Sequence, residues 1–163
     1  MVPFRPARLI LVVALVAAGL LALAGCSKSK SDSSNSTAAG GGTTVNATLK
    51  EWSLSLDKSS APPGNVTFSA TNDGTVDHEF VVFRTDLAPD ALPLSGTSVD
   101  EEASTVTKKD EIAEFSPGTT KTLTLNLGPG KYVVICNVPG HYQQGLRTAF
   151  TVAAASSSSG GKY

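Results

Sequence analysis

The stretch VICNVPGHYQQGL, residues 134–146, decides the fold and the chemistry that the sequence predicts. An apolar β-type run leads directly into Cys136, and Pro139-Gly140 then places His141 five residues after the thiol. A thiolate and an imidazole on one tight loop are two of the three strong ligands of a trigonal His2Cys copper site. The third ligand must therefore come from another part of the chain.

The chain has two histidines, and the one outside this loop is His78, in the stretch VDHEFVV of residues 76–82. Taken alone, Cys136 is typical of a buried structural thiol, because free cysteine behaves as a small hydrophobic residue. Each histidine taken alone is typical of a turn or a strand end. The three residues together predict a metal site, and a soft thiolate with two imidazoles favours copper over zinc.

At these residues the sequence resembles the cupredoxins, the blue copper family, over about residues 44–153. The resemblance implies an electron-transfer site with one type 1 copper ion bound by His78, Cys136 and His141. It also implies that His78 is the buried ligand, whereas His141 lies on an exposed loop and its imidazole edge is the exit for the electron.

The axial position departs from the family pattern. The Cys-x4-His spacing is that of rusticyanin-like and sulfocyanin-like proteins, which carry Met where this chain has Leu146, and Met1 is its only methionine. We therefore expect Leu146 to occupy the axial position without binding the metal. The backbone carbonyl of Asp77 is a candidate distant axial oxygen, and Asn137 is a candidate for tying the loop to the strand that carries His78.

Residues 1–25 have the pattern of a signal peptide, with Arg5 and Arg8 before an apolar core. The tetrapeptide LAGC ending at Cys26 resembles a bacterial lipobox, which implies lipidation of Cys26 and anchoring at the extracytoplasmic face of the cell membrane. We also expect a monomer. An uncleaved anchor is the alternative. Residues 26–44 and 154–163 are rich in small and polar residues, which predicts a flexible linker and a disordered tail.

Residues 45–153 are predicted to form an all-β domain, an antiparallel Greek-key β-sandwich, because short alternating runs are separated by Gly and Pro turn signals. Apolar alternation changes parity after Leu49 and resumes at Trp52, which predicts a bulge or kink near Lys50-Glu51. Residues 85–114 form an acidic insertion for which we expect irregular, solvated structure. Docking of a partner is the alternative role for this segment.

Three functions fit such a site: an electron carrier, a copper protein for storage, delivery or resistance, and a multicopper enzyme. The third is excluded within this chain because further copper centres need more histidines, and a Ser/His/Asp hydrolase fails for the same reason. A net charge of −1 argues against nucleic-acid binding, which needs a clustered basic surface. We therefore expect a non-enzymatic electron carrier that exchanges electrons with a redox partner protein or a membrane respiratory component.

Overall fold

The computed structural model describes residues 42–154. The predicted signal peptide, the lipidation site Cys26, and all but the ends of the predicted linker and tail lie outside these residues. The first strand begins at Thr43, two residues before the predicted start of the domain. Within residues 42–154 no helix has the length and apolar character needed to cross a membrane.

The elements are short strands, with one helical turn between the last two. They are β1 (Thr43–Lys50), β2 (Ser53–Leu56), β3 (Ser60–Ala61), β4 (Gly64–Asn72), β5 (His78–Arg84), β6 (Leu94–Ser95), β7 (Ser98–Val99), β8 (Thr107–Phe115), β9 (Thr120–Leu127), β10 (Gly130–Ile135), α1 (His141–Gln144) and β11 (Arg147–Val152).

The strands form two sheets that pack as a β-sandwich, as the sequence predicts. One sheet has the order β2-β1-β4-β9 and the other β3-β11-β10-β5-β8, while β6 and β7 make a separate hairpin. The sheets are mixed rather than purely antiparallel, because β1 runs parallel to β4 and β3 runs parallel to β11. These parallel pairs join strands that are distant in sequence, so they cannot be predicted from a local turn signal.

Alternating residues of both sheets fill the main core. In β1 the buried residues are Val45, Ala47 and Leu49, which confirms the predicted alternation. The change of parity after Leu49 marks a tight turn between two antiparallel strands, β1 and β2, rather than a bulge or kink within one strand. The turn consists of Glu51 and Trp52, and it lies near the site described below.

The strands β5 and β10 are buried on both faces, which explains their continuous apolar sequences. Phe80 and Val82 of β5 point into the main core, whereas Val81 and Phe83 belong to a second cluster. The second cluster also contains residues of β10, the insertion and the ligand loop: Leu92, Val99, Val106, Val133, Ile135 and Tyr142.

The expectation of irregular, solvated structure for residues 85–114 is therefore wrong for much of the segment. Residues 107–115 form the strand β8, which pairs with β5. Leu92, Val99 and Val106 are buried against the outer face of β5 and β10. The insertion covers a sheet face that would otherwise expose apolar side chains.

Two leucines of the insertion test this covering role. Leu92 is 5% exposed and Leu94 is 44% exposed. We expect Leu92→Ala to lower the free energy of unfolding by about 2–5 kcal/mol, because it leaves a cavity under the insertion. Leu94→Ala is the matched control and should change stability by less than about 0.5 kcal/mol. Chemical denaturation measures both, and equal effects of the two substitutions would contradict the role assigned to the insertion.

Candidate metal centre

The pairing of β5 with β10 brings the predicted ligands together. His78 is the first residue of β5, Cys136 directly follows β10, and His141 is the first residue of α1. The antiparallel register places Val81 opposite Ile135. Because of this register, the beginning of β5 lies beside the end of β10 and the loop that follows it.

The three side chains form a closed triangle of donor atoms. The Cys136 Sγ lies 3.3 Å from the His141 Nδ1 and 3.7 Å from the His78 Nδ1, and the two nitrogens are 3.3 Å apart. The centre of a triangle with these sides lies about 2.0 Å from each corner, close to the metal–nitrogen distance of about 2.0–2.1 Å and somewhat inside the metal–sulfur distance of about 2.3 Å found in zinc sites. The residues therefore fit one metal ion. In the described part of the chain they are the one group of three His, Cys, Asp or Glu side chains that converges in this way.

Burial sets the protonation of the donors. The pKa of His78 is lowered by burial and by the nearby His141, and burial also lowers the pKa of His141. Both imidazoles are thus neutral near pH 7 and have a lone pair for a metal. Burial raises the pKa of the Cys136 thiol to about 11. A metal must displace this proton, and the Cys136 Sγ already accepts a hydrogen bond from the Glu79 backbone N–H at 3.2 Å.

The ligand loop, residues 136–146, is closed by backbone hydrogen bonds. The Cys136 N–H donates to the Leu146 carbonyl at 3.0 Å, which continues the pairing of β10 with β11 past their ends. Gly140 adopts a left-handed conformation with φ of 85° directly before His141. Its N–H donates to the Thr97 carbonyl in the insertion at 2.9 Å. The loop is thus fixed both at its base and at its turn.

Asn137 holds the ligand loop, but it binds a different partner from the one predicted. Its Oδ1 accepts a hydrogen bond from the Val99 N–H at 2.7 Å, and its Nδ2 donates to the Glu101 Oε1 at 2.8 Å. The amide therefore ties the loop to the insertion, not to the strand that carries His78. The Tyr142 hydroxyl makes a second tie by accepting from the Leu92 N–H at 2.9 Å.

Leu146 is fully buried and belongs to the same core cluster as Cys136. Gln143 and Gln144 are exposed. Asp77 is exposed and immediately precedes β5. The distant axial oxygen assigned to its carbonyl stays a prediction.

The sequence analysis missed Glu51 and Trp52 as neighbours of the centre. The Trp52 ring packs edge-on to His141 with ring centroids 5.2 Å apart, and His141 retains 8% exposure. His141 is therefore more buried than an exposed loop implies, while Trp52 itself is 44% exposed. One feature of the sequence could have indicated this neighbour: the single tryptophan lies at the change of parity after β1.

The β-sandwich confirms the cupredoxin fold that the sequence resemblance implies, and the His-Cys-His donor group agrees with the metal site of that family. Among solved structures, the chain is similar to reduced auracyanin from the photosynthetic bacterium Roseiflexus castenholzii. The identity is 25% and the TM-score 0.50, over 68% of this chain and 97% of that chain.

Two further structures match over a similar range. Auracyanin A, a "blue" copper protein from the green thermophilic photosynthetic bacterium Chloroflexus aurantiacus, is 22% identical, with a TM-score of 0.49 over 69% of this chain and 99% of its own. Rusticyanin from Thiobacillus ferrooxidans is 22% identical, with a TM-score of 0.48 over 68% of this chain and 77% of its own. No family model and no curated protein matches the chain.

The tie between the ligand loop and the insertion predicts a large effect of Asn137→Ala. The substitution leaves the part-buried Val99 N–H without its acceptor, and we expect a loss of about 1–3 kcal/mol in the free energy of unfolding. Asn126→Ala removes an exposed side-chain hydrogen bond to Asn65 and should cost less than about 0.5 kcal/mol. Denaturant unfolding of both variants measures the difference, and a neutral Asn137→Ala would contradict the tie.

Proposed function

We propose that the protein binds one copper ion at His78, Cys136 and His141 and transfers electrons through it. The observation that carries the proposal is the closed triangle of one sulfur and two imidazole nitrogens with sides of 3.3, 3.3 and 3.7 Å. A thiolate with two imidazoles in a trigonal arrangement is the donor set of mononuclear electron-transfer copper sites. The likeness to auracyanin in fold supports the same conclusion.

The protein itself restricts the movement of these three donors and shields them from water. A bound copper ion would alternate between Cu(I) and Cu(II) and so accept and release one electron. The buried Cys136 supplies the thiolate, and the neutral imidazoles supply their Nδ1 lone pairs. The insertion fixes the ligand loop from one side, which limits the movement of ligands when the charge of the site changes. His141, with its remaining exposure and its contact to Trp52, is the route to the surface.

The site geometry favours electron transfer over catalysis. Three protein donors surround the centre, and no further histidine exists in the chain for a second copper. His78 and Cys136 have no exposed surface, and His141 has little. A substrate would therefore have no open access to a bound metal. We propose that the protein is an electron carrier and not an enzyme.

A spectrum of the purified protein after addition of Cu(II) tests this function. We expect an intense visible band from thiolate-to-copper charge transfer, together with reversible reduction. Cys136→Ser should abolish the band, while Cys26→Ser, at the other cysteine of the chain, should leave it unchanged. A colourless and easily removed ion would instead support a role in copper storage, delivery or resistance.

Leu146 gives a second test, which concerns the reduction potential. An aliphatic side chain in the axial position supplies no weak donor and keeps the pocket dry, and both effects disfavour Cu(II). We expect Leu146→Met to lower the potential, by roughly 59 mV for each tenfold gain in relative Cu(II) affinity. Voltammetry measures the shift. Leu127→Met, at a buried leucine outside the ligand loop, is the matched control and should not move the potential. An unchanged potential in Leu146→Met would contradict the axial assignment.

We also propose that the protein works at the extracytoplasmic face of the cell membrane, anchored through lipidated Cys26 as a monomer. A redox partner protein or a membrane respiratory component would exchange electrons with it. The support is the lipobox-like sequence ending at Cys26 and the Ser/Gly-rich segment that follows. Labelling of cells with a radioactive fatty acid tests the anchor, because the original protein should incorporate the label and Cys26→Ser should not. Absence of label from the original protein would favour the uncleaved anchor.

A further inference from the structure

The second ring nitrogen of His78 lies outside the donor triangle. The Nε2 of His78 is a buried side-chain nitrogen without a hydrogen-bond partner, and it has this distinction alone among residues 42–154. The other ring nitrogen, Nδ1, faces the donor triangle. A neutral imidazole that offers the Nδ1 lone pair to a metal carries its proton on Nε2. In that tautomer the His78 Nε2 would be a buried N–H donor that needs an acceptor.

Glu51 is placed to be that acceptor. Its Oε1 lies 3.6 Å from the His78 Nε2, a few tenths of an ångström beyond a hydrogen bond. The same oxygen accepts hydrogen bonds from the backbone N–H groups of Thr75 at 2.8 Å and Val76 at 3.0 Å. These two bonds hold the carboxylate beside the His78 Nε2.

Gly74 leaves the space that this approach needs. A Cβ at position 74 would lie 2.6 Å from the Glu51 Oε1 and 2.9 Å from the His78 Nε2. Real side chains essentially never make contacts this short, so any other residue would have to push the carboxylate or the ring aside. The absence of a side chain at Gly74 thus keeps the carboxylate and the imidazole adjacent.

We propose that Glu51 is a positioning residue for the metal centre, whose carboxylate accepts the Nε2–H bond of His78 when a metal is bound at Nδ1. The inference rests on the proposed function, because it assumes that His78 is a ligand. A carboxylate in this place fixes the tautomer and orientation of the ring and makes its Nδ1 a stronger donor. Its negative charge also stabilises Cu(II) relative to Cu(I).

The substitution Glu51→Gln separates this role from a purely structural one. The glutamine side chain would keep an oxygen that can accept from Thr75 and Val76, so the turn between β4 and β5 retains its hydrogen bonds. What the substitution removes is the charge facing His78. Asp57→Asn is the matched control, because the Asp57 carboxylate also accepts a backbone N–H, that of Asn46 at 2.8 Å, and carries no histidine contact in the structure.

Three measurements on each variant decide the matter. Nitrogen NMR of the metal-free protein reports the tautomer of His78, Zn²⁺ titration reports the affinity of the site, and voltammetry of the copper-loaded protein reports the potential. We expect Glu51→Gln to weaken Zn²⁺ binding by about 10–100-fold, to reduce the fraction of the Nε2–H tautomer and to raise the reduction potential. We expect Asp57→Asn to leave all three unchanged.

The outcomes distinguish this inference from the proposed function. If Glu51→Gln alters thermal stability alone and leaves the tautomer, the Zn²⁺ affinity and the potential at their original values, the positioning role is wrong. If the original protein develops no copper charge-transfer band, the proposed function fails, while the Zn²⁺ and NMR measurements still judge Glu51. Should Glu51→Gln not fold, Glu51→Asp keeps the charge but withdraws it, and must weaken Zn²⁺ binding for the inference to stand.

Discussion

The register between β5 and β10 is the constraint on which the rest of the structure depends. Val81 lies opposite Ile135, and this pairing sets His78 and Cys136 on the same side of the sheet. A slip of one residue would turn Cys136 to the opposite face and separate the thiol from the imidazole. The register is well specified because both faces of these strands are buried, so a slip would exchange the residues of two cores at once.

Support reaches the centre from two directions that are unrelated in sequence. The insertion holds the ligand loop through Asn137, Gly140 and Tyr142. Separately, the turn between β1 and β2 brings Glu51 to His78 and Trp52 to His141. The buried, apolar surroundings keep the imidazoles and the thiol neutral in the absence of a metal. The contacts from the insertion and from the β1–β2 turn fix the orientation of these side chains. Such an arrangement keeps a donor set nearly unchanged between two charge states.

The sequence predicted most strands and the His78, Cys136 and His141 group that the structure brings together, because most of these signals are local. Cys136 and His141 share one loop, and the apolar alternation of β1 and the continuous run of β5 are visible in a few residues each. The parallel pairing of β1 with β4 was not predictable in this way, because it joins separate segments and leaves no turn signal. The insertion was misjudged for a related reason. Leu92, Val99 and Val106 are few and lie seven residues apart in a polar segment, and only the uncovered face of β5 explains why they are buried.

Glu51 illustrates the same limit within the site. A glutamate in a polar turn is an ordinary surface residue by sequence, and nothing near it in the chain indicates a histidine 27 positions later. Its place follows from the return of the chain between β4 and β5 and from the gap at Gly74. Contacts that depend on three separate segments arise only when the sheets are assembled.

Trp52 is the only tryptophan of the chain, and its indole touches one of the ligands. Ultraviolet-excited emission from this protein therefore originates almost entirely at one spot beside the centre. An open-shell ion there would quench that light, whereas a closed-shell ion would leave much of it. Loss of the tryptophan emission would thus report an open-shell ion at the centre without any attached dye.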